Sequence, residues 1–98
     1  MPIILRTTQA NRDLLQIWIT VAERRSDEAA DRLLDEIADL CDLLAQRPQM
    51  GRTREEFSIP LRSFPIQSTS YVIFYNPIPG GIQIYRVLDG RMDLNQLL

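Results

Sequence analysis

Apolar positions in this chain change period halfway along it. Up to residue 46 they recur with helical spacing, and beyond residue 56 they come in short, nearly continuous runs. Leu14, Ile17, Trp18 and Val21 fall at i, i+3, i+4 and i+7, and Leu15, Ile19 and Ala22 widen the stripe. That spacing predicts an amphipathic helix from about Gln9 to Arg25, with Thr8 as its N-cap. Ser26-Asp27 offers the next cap, and Glu28 suits the positive end of the helix dipole. A second helix then runs to about Gln46 on a stripe of Ala30, Leu33, Leu34, Ile37, Leu40, Cys41 and Leu44. The short link between the two makes an αα-hairpin.

Ahead of the hairpin, Pro2–Thr7 reads as a strand. Behind it, Pro48-Gln49-Met50-Gly51 ends the helical region in a turn. Phe57–Gln67 is apolar in patches but carries Pro60 and Pro65, which places it at a sheet edge or gives it bulges. The strongest local signal comes next: Tyr71–Tyr75 and Ile82–Leu88, rich in β-branched and aromatic residues, flank the turn Asn76–Gly81. This is a β-hairpin signature. Both faces of Tyr71–Tyr75 are apolar or amphipathic, so one packs on helices and the other is covered or meets a partner. Arg86 stands inside an apolar strand and must be paired or aimed at something. Leu94–Leu98 either closes a helical turn on the body or stays loose until bound. Strands in succession, not alternating with helices, give an α+β fold, with a helix pair on one face of a small antiparallel sheet. Residues 1–98 read as one domain without repeats or linkers.

Composition narrows the chemistry. The chain has one cysteine, Cys41, so neither an intrachain disulfide nor a Cys/His zinc site can form. Cys41 lies on the apolar stripe and reads as a small buried hydrophobe. All eleven basic residues are Arg, with no Lys and no His. This removes the commonest acid–base residue, the lysine nucleophile and every Ser/His/Asp or Cys/His arrangement. Residues 1–48 hold six Arg against nine acids and residues 49–98 five against four, so neither half has the basic excess of a nucleic-acid footprint. The acids of the second helix read as a solvated face. No apolar run reaches membrane-crossing length and no signal-peptide pattern opens the chain, which points to a cytoplasmic protein without cofactor or metal. What remains is Arg62, Arg86 and Arg91 in the sheet half, each a planar fork suited to carboxylate or phosphate.

Several pieces, in order, resemble the RelE/ParE toxin superfamily. They are Ala10…Asp13-Leu14…Ile17-Trp18, Ala29-Ala30…Leu33…Ile37, Pro48-Gln49-Met50-Gly51-Arg52, Leu61-Arg62, Tyr71–Tyr75, Ile84–Leu88 and Gly90-Arg91-Met92-Asp93. Within the superfamily the chain is most similar to the ParE branch of plasmid-stabilisation proteins. The resemblance implies that the first strand lies beside the last and that the strand after the helices is at an edge. It also implies a toxin of a type II toxin–antitoxin pair, held in a hetero-oligomer by a ParD-like antitoxin that wraps the helical hairpin and the sheet. DNA binding would come only through the antitoxin.

The superfamily divides by mechanism. RelE-like members cleave message on the ribosome with a basic cluster and, commonly, a Tyr or His near the C-terminus. This chain has Val72 where those nucleases often carry a basic residue, and its terminal Asn95-Gln96-Leu97-Leu98 offers neither group. Arg91 alone matches, and a guanidinium stabilises charge without moving protons at neutral pH. ParE-like members poison DNA gyrase without chemistry of their own. The chain departs from their commonest pattern at Asp89, where many relatives have His. The reading expected is therefore a non-enzymatic gyrase inhibitor. Arg86, Arg91 and Asp93, with the C-terminal residues, would meet the target; Leu14, Trp18 and Arg62 would meet the antitoxin. The alternatives are a RelE-type endonuclease and a non-toxic binding module.

Overall fold

The computed structural model describes residues 1–98. The elements run β1 (Ile3–Arg6), α1 (Thr8–Arg24), α2 (Asp27–Gln46), β2 (Arg52–Arg54), β3 (Leu61–Pro65), β4 (Tyr71–Ile78), β5 (Gly81–Asp89) and α3 (Leu94–Leu97). They build one five-stranded sheet of order β1-β5-β4-β3-β2. The first strand pairs parallel with the last, and every other pairing is antiparallel. This is the expected α+β arrangement, and the first strand does lie beside the last.

Both long helices start on side-chain caps. Thr7, one residue before the expected Thr8, accepts from the Ala10 amide at 3.0 Å, and Ser26 accepts from the Ala29 amide at 3.0 Å. Thr7 wins because it also has a tertiary partner: its hydroxyl donates to the Tyr85 carbonyl at 2.6 Å, which fixes the start of α1 against β5. The predicted stripes face the sheet. Ala10, Leu14, Ile17, Ile37, Cys41 and Leu44 form the main core with Ile73, Tyr75, Ile82, Ile84 and Val87.

The hairpin is tighter than the sequence suggested. Ile78 pairs with Gly81, so only Pro79 and Gly80 turn the chain. Proline supplies the fixed φ of the first turn position and Gly80 the positive φ (83°) of the second. The strands therefore run through Asn76, Pro77 and Ile78, residues the sequence reading gave to the turn. β3 registers with β4 only between Pro65/Val72 and Arg62/Tyr75, so Pro77 lies where β4 has no second neighbour.

The proline-bearing strand is β3, and it is not the edge strand. The three-residue β2 pairs outside it and takes the edge, as the resemblance implied for the strand after the helices. Both prolines avoid that pairing, which involves only Leu61, Arg62 and Ser63 of β3.

A bulge in β5 decides which way its charge points. Phe74 is opposite Arg86 while Tyr75 is opposite Ile84, so Tyr85 has no partner residue on β4. Uninterrupted alternation would put Ile82, Ile84 and Arg86 on one face. The extra residue instead brings Val87 into the core beneath the helices and moves Arg86 to the face of Phe74. That second face has its own small core of Leu61, Phe74 and Leu88, covered by Phe57 and Ile59 from the β2–β3 connection and by Leu94, Leu97 and Leu98 around α3. The second face of the hairpin is thus covered by the chain itself, and Leu94–Leu97 closes as a helical turn. Ile3 and Leu5 on β1 remain about half exposed. No helix is long and apolar enough to cross a membrane.

Candidate functional site

The arginines that the sequence singled out do not converge on one face; each has a separate local role. Arg86 sits at the β5 edge beyond the end of β1. Its Nε and Nη2 donate to the Asp13 carboxylate at 2.7 and 3.0 Å, and its Nη1 donates to the Leu97 carbonyl at 3.2 Å. Asp13 also accepts from the Val87 amide at 3.1 Å, closing a backbone donor that β1 is too short to reach. Both side chains are largely buried, and the two-bonded carboxylate raises the Arg86 pKa further above its ordinary value. The charge in the strand is paired, as expected. The partner comes from α1, whose first turns replace β1 along the remainder of β5.

Arg62 belongs to a second clasp. Its Nη1 donates to the carbonyls of Gln49 (3.2 Å) and Gly51 (2.7 Å). Beside it, the Tyr75 hydroxyl accepts from the Gly51 amide and donates to the Pro48 carbonyl, both at 2.8 Å. Burial raises the Tyr75 pKa, so the hydroxyl keeps the proton it donates. A Cβ on residue 51 would lie 2.4 Å from the Tyr75 Oη, and this close approach explains the glycine. The turn that leaves α2 is therefore held by four bonds from two neighbouring strands.

Arg91 is the exposed one. Its side chain is 75% accessible, and its Nε and Nη2 are held by Asp89 at 3.0 and 2.7 Å. The same carboxylate accepts from the Arg91 amide, and these bonds hold Asp89 well below the usual carboxylate range. Asp89 thus orients Arg91 outward, at the position where the resemblance led to an expectation of His. Asp93 is exposed and caps α3 through the Asn95 amide at 3.2 Å. Met92, between them, is 55% exposed.

On the helical side, Trp18 is half-buried, and its indole Nε1 donates to Asp31 of α2 at 2.8 Å. Leu14 lies in the core, so a partner reaching α1 would touch Leu15, which is 61% exposed. That is a correction to the expected antitoxin residues: Leu14, like Ile17 one turn on, faces the sheet. Arg62 is on β3, on the far side of β4 from the β5 strand that α1 packs upon, where it grips the turn after α2 and makes no bond to α1. Sequence reasoning did not foresee the contacts of Asp13 and Tyr75, and it placed Gly51 in the turn without the close approach that requires a glycine there. The one signal for Asp13 was a carboxylate directly beside the apolar stripe, with an unpaired Arg in a distant strand.

An open apolar groove of about 260 Å³ runs between α2 and β1, lined by Ile4, Leu14, Leu34, Ile37, Ala38 and Cys41 among others. Burial raises the Cys41 thiol to about 11, so it lines this groove as an apolar group.

The sheet carries the two topological features that the resemblance implied, and comparison with known proteins decides the family. Residues 4–94 match the family model described as the ParE toxin of the type II toxin–antitoxin system parDE. The chain belongs to the ParE toxin family. It is 29% identical over 91 residues to Toxin ParE3 of Caulobacter vibrioides, covering 93% of this chain and 89% of that one. The fold matches a solved chain of the chromosomal ParDE TA system from P. aeruginosa with a TM-score of 0.73. That match has 22% identity and covers 89% of this chain and 94% of the other. As a ParE-type toxin, the molecule places its two clasps where they brace the hairpin and the sheet. The only singled-out arginine left facing solvent is Arg91.

Proposed function

We propose that this ParE-type toxin acts by binding DNA gyrase and is neutralised by a ParD-like antitoxin. The observation that carries the reading is the division of labour among the arginines in a family of toxins. Arg86 and Arg62 are spent on holding the scaffold, while Arg91 is presented by Asp89 at the exposed C-terminal end of β5. An oriented guanidinium beside exposed Met92 and Asp93 is suited to contact, because guanidinium stays protonated and does not serve as a proton shuttle. The absence of His and Lys from the whole sequence supports contact over chemistry.

In this reading Arg91 and Asp93 meet the target, and Arg86 positions them by fastening α3 through Leu97. The antitoxin covers the outer side of the helical hairpin around Leu15 and Trp18, and Arg62 acts indirectly by shaping the turn after α2. The membership of the matched P. aeruginosa chain in a ParDE system supports a ParD-like partner. Expression alone is expected to arrest growth with induction of the DNA-damage response, and co-expression of the cognate antitoxin is expected to release it. Arrest with degraded message and no DNA damage would favour the RelE-type reading instead.

A further inference from the structure

A groove of about 340 Å³ lies where the tip of the helical hairpin meets the β3–β4 turn. Val21, Ala29, Leu33 and Tyr71 contribute apolar surface, and Arg25, Arg32, Glu36, Gln67, Ser68 and Thr69 contribute polar surface. Nothing in the gyrase reading uses it, and it lies apart from both clasps.

We propose that this groove docks a short, carboxylate-bearing and partly apolar peptide segment of a protein partner. Arg25 and Arg32 line it from the two helices, and neither has a carboxylate within ion-pair distance. By contrast, Arg54 and Arg62, which line the large polar groove at the other end of the sheet, are both engaged. Two free forks over an apolar floor match a carboxylate next to an aliphatic side chain.

The turn on the opposite wall is fixed. The Thr69 hydroxyl donates to the Ile66 carbonyl at 2.7 Å and accepts from the Tyr71 amide at 3.0 Å. This holds Ser68 at φ 65°, the only positive φ outside glycine. A glycine would adopt that backbone freely, whereas serine adds a hydroxyl at the groove wall. Charge excludes the other anion of comparable reach. Glu36 lines the same groove, and α2 carries seven acids along its length, so a polyanionic nucleic-acid backbone is repelled where a single carboxylate is not.

The test uses the isotope-labelled, purified full chain and three probes: an N-acetylated, C-amidated Leu-rich peptide with a single Glu, its counterpart with Gln in place of that Glu, and a short DNA duplex. The Glu peptide is expected to shift the amide signals of Arg32, Leu33, Ser68 and Thr69. Its affinity should fall about tenfold or more in the R25A/R32A double variant and partly recover in R25K/R32K. Both arginines are exposed, so these variants keep the fold, which the unshifted remainder of the spectrum reports. Equal binding of the Gln peptide, unchanged binding by R25A/R32A, preferential binding of the duplex at these amides, or no shift at them would each overturn the proposal.

Discussion

The Asp13 carboxylate and the Arg86 guanidinium, 73 residues apart in sequence, form a two-bonded ion pair, and the same carboxylate caps the Val87 amide. One side chain thereby joins the first helix, the last long strand and, through the Arg86 bond to Leu97, the C-terminal turn. Substituting one partner of a largely buried pair leaves the other charge without its counter-ion, which is the costly case. Asp13→Asn is expected to destabilise the fold by about 2 kcal/mol, lowering Tm by roughly 10 °C for a domain of this size. The Asp13→Asn/Arg86→Met double variant should recover part of the loss. Thermal unfolding of Asp13→Asn, Arg86→Met and the double variant measures it, and additive losses would show that the two residues act independently.

The clasp at the turn after α2 gives a sharper coupling. Tyr75→Phe removes the partner of both the Gly51 amide and the Pro48 carbonyl, at a cost of about 1–3 kcal/mol. Gly51→Ala collides with the Tyr75 ring end in the wild type and less so once the hydroxyl is gone. Chemical denaturation of the single and double variants should give a double loss smaller than the sum. A simple sum would contradict the close approach.

Cys41 should behave as an inert core residue. Burial raises its thiol to about 11, so at neutral pH very little thiolate is present. Labelling with a thiol reagent is expected to be slow in the native state and fast in denaturant. Rapid labelling of the folded protein at pH 7 would show that the groove beside α2 admits reagent and ionises the thiol.

Asp89 provides a test by pH. Its folded pKa lies below its unfolded value of about 3.9, with the Arg91 side-chain bonds as the main cause. The sign follows from proton uptake: the contribution is full above about pH 4 and is lost as pH falls through the folded pKa. The carboxylate lies at the surface, so the effect on overall stability is small and the local titration is the useful readout. A carbon-detected NMR titration should place the Asp89 midpoint well below the ordinary value in the wild type. Arg91→Gln should bring it back toward that value. A normal midpoint in both proteins would mean that Arg91 is not held.

Much of the architecture is legible in the sequence because the signals are local. Helical stripes, the Ser26 cap and the strand–turn–strand run around Gly80 depend on neighbours a few residues away. The parts that escaped are those set by distant contacts. Thr7 outcompetes Thr8 as the cap because of a bond to Tyr85, and β2 takes the edge because three residues after Gly51 find Leu61–Ser63. The bulge that turns Arg86 out of the core appears only once β4 and β5 are in register. The three candidate arginines were identified by residue type, but their division into two structural clasps and one exposed fork depends on partners at residues 13, 49, 51 and 89.

The central claim is most directly tested by incubating purified, antitoxin-free protein with gyrase and relaxed plasmid DNA, and then trapping cleaved DNA with denaturant. The expected result is loss of supercoiling with accumulation of linear, gyrase-linked plasmid. Arg91→Ala should weaken the effect while leaving Tm within a degree or two, because Arg91 is exposed and its pair with Asp89 is a surface one. Normal supercoiling at large molar excess of folded toxin, with no trapped DNA, would contradict the gyrase account.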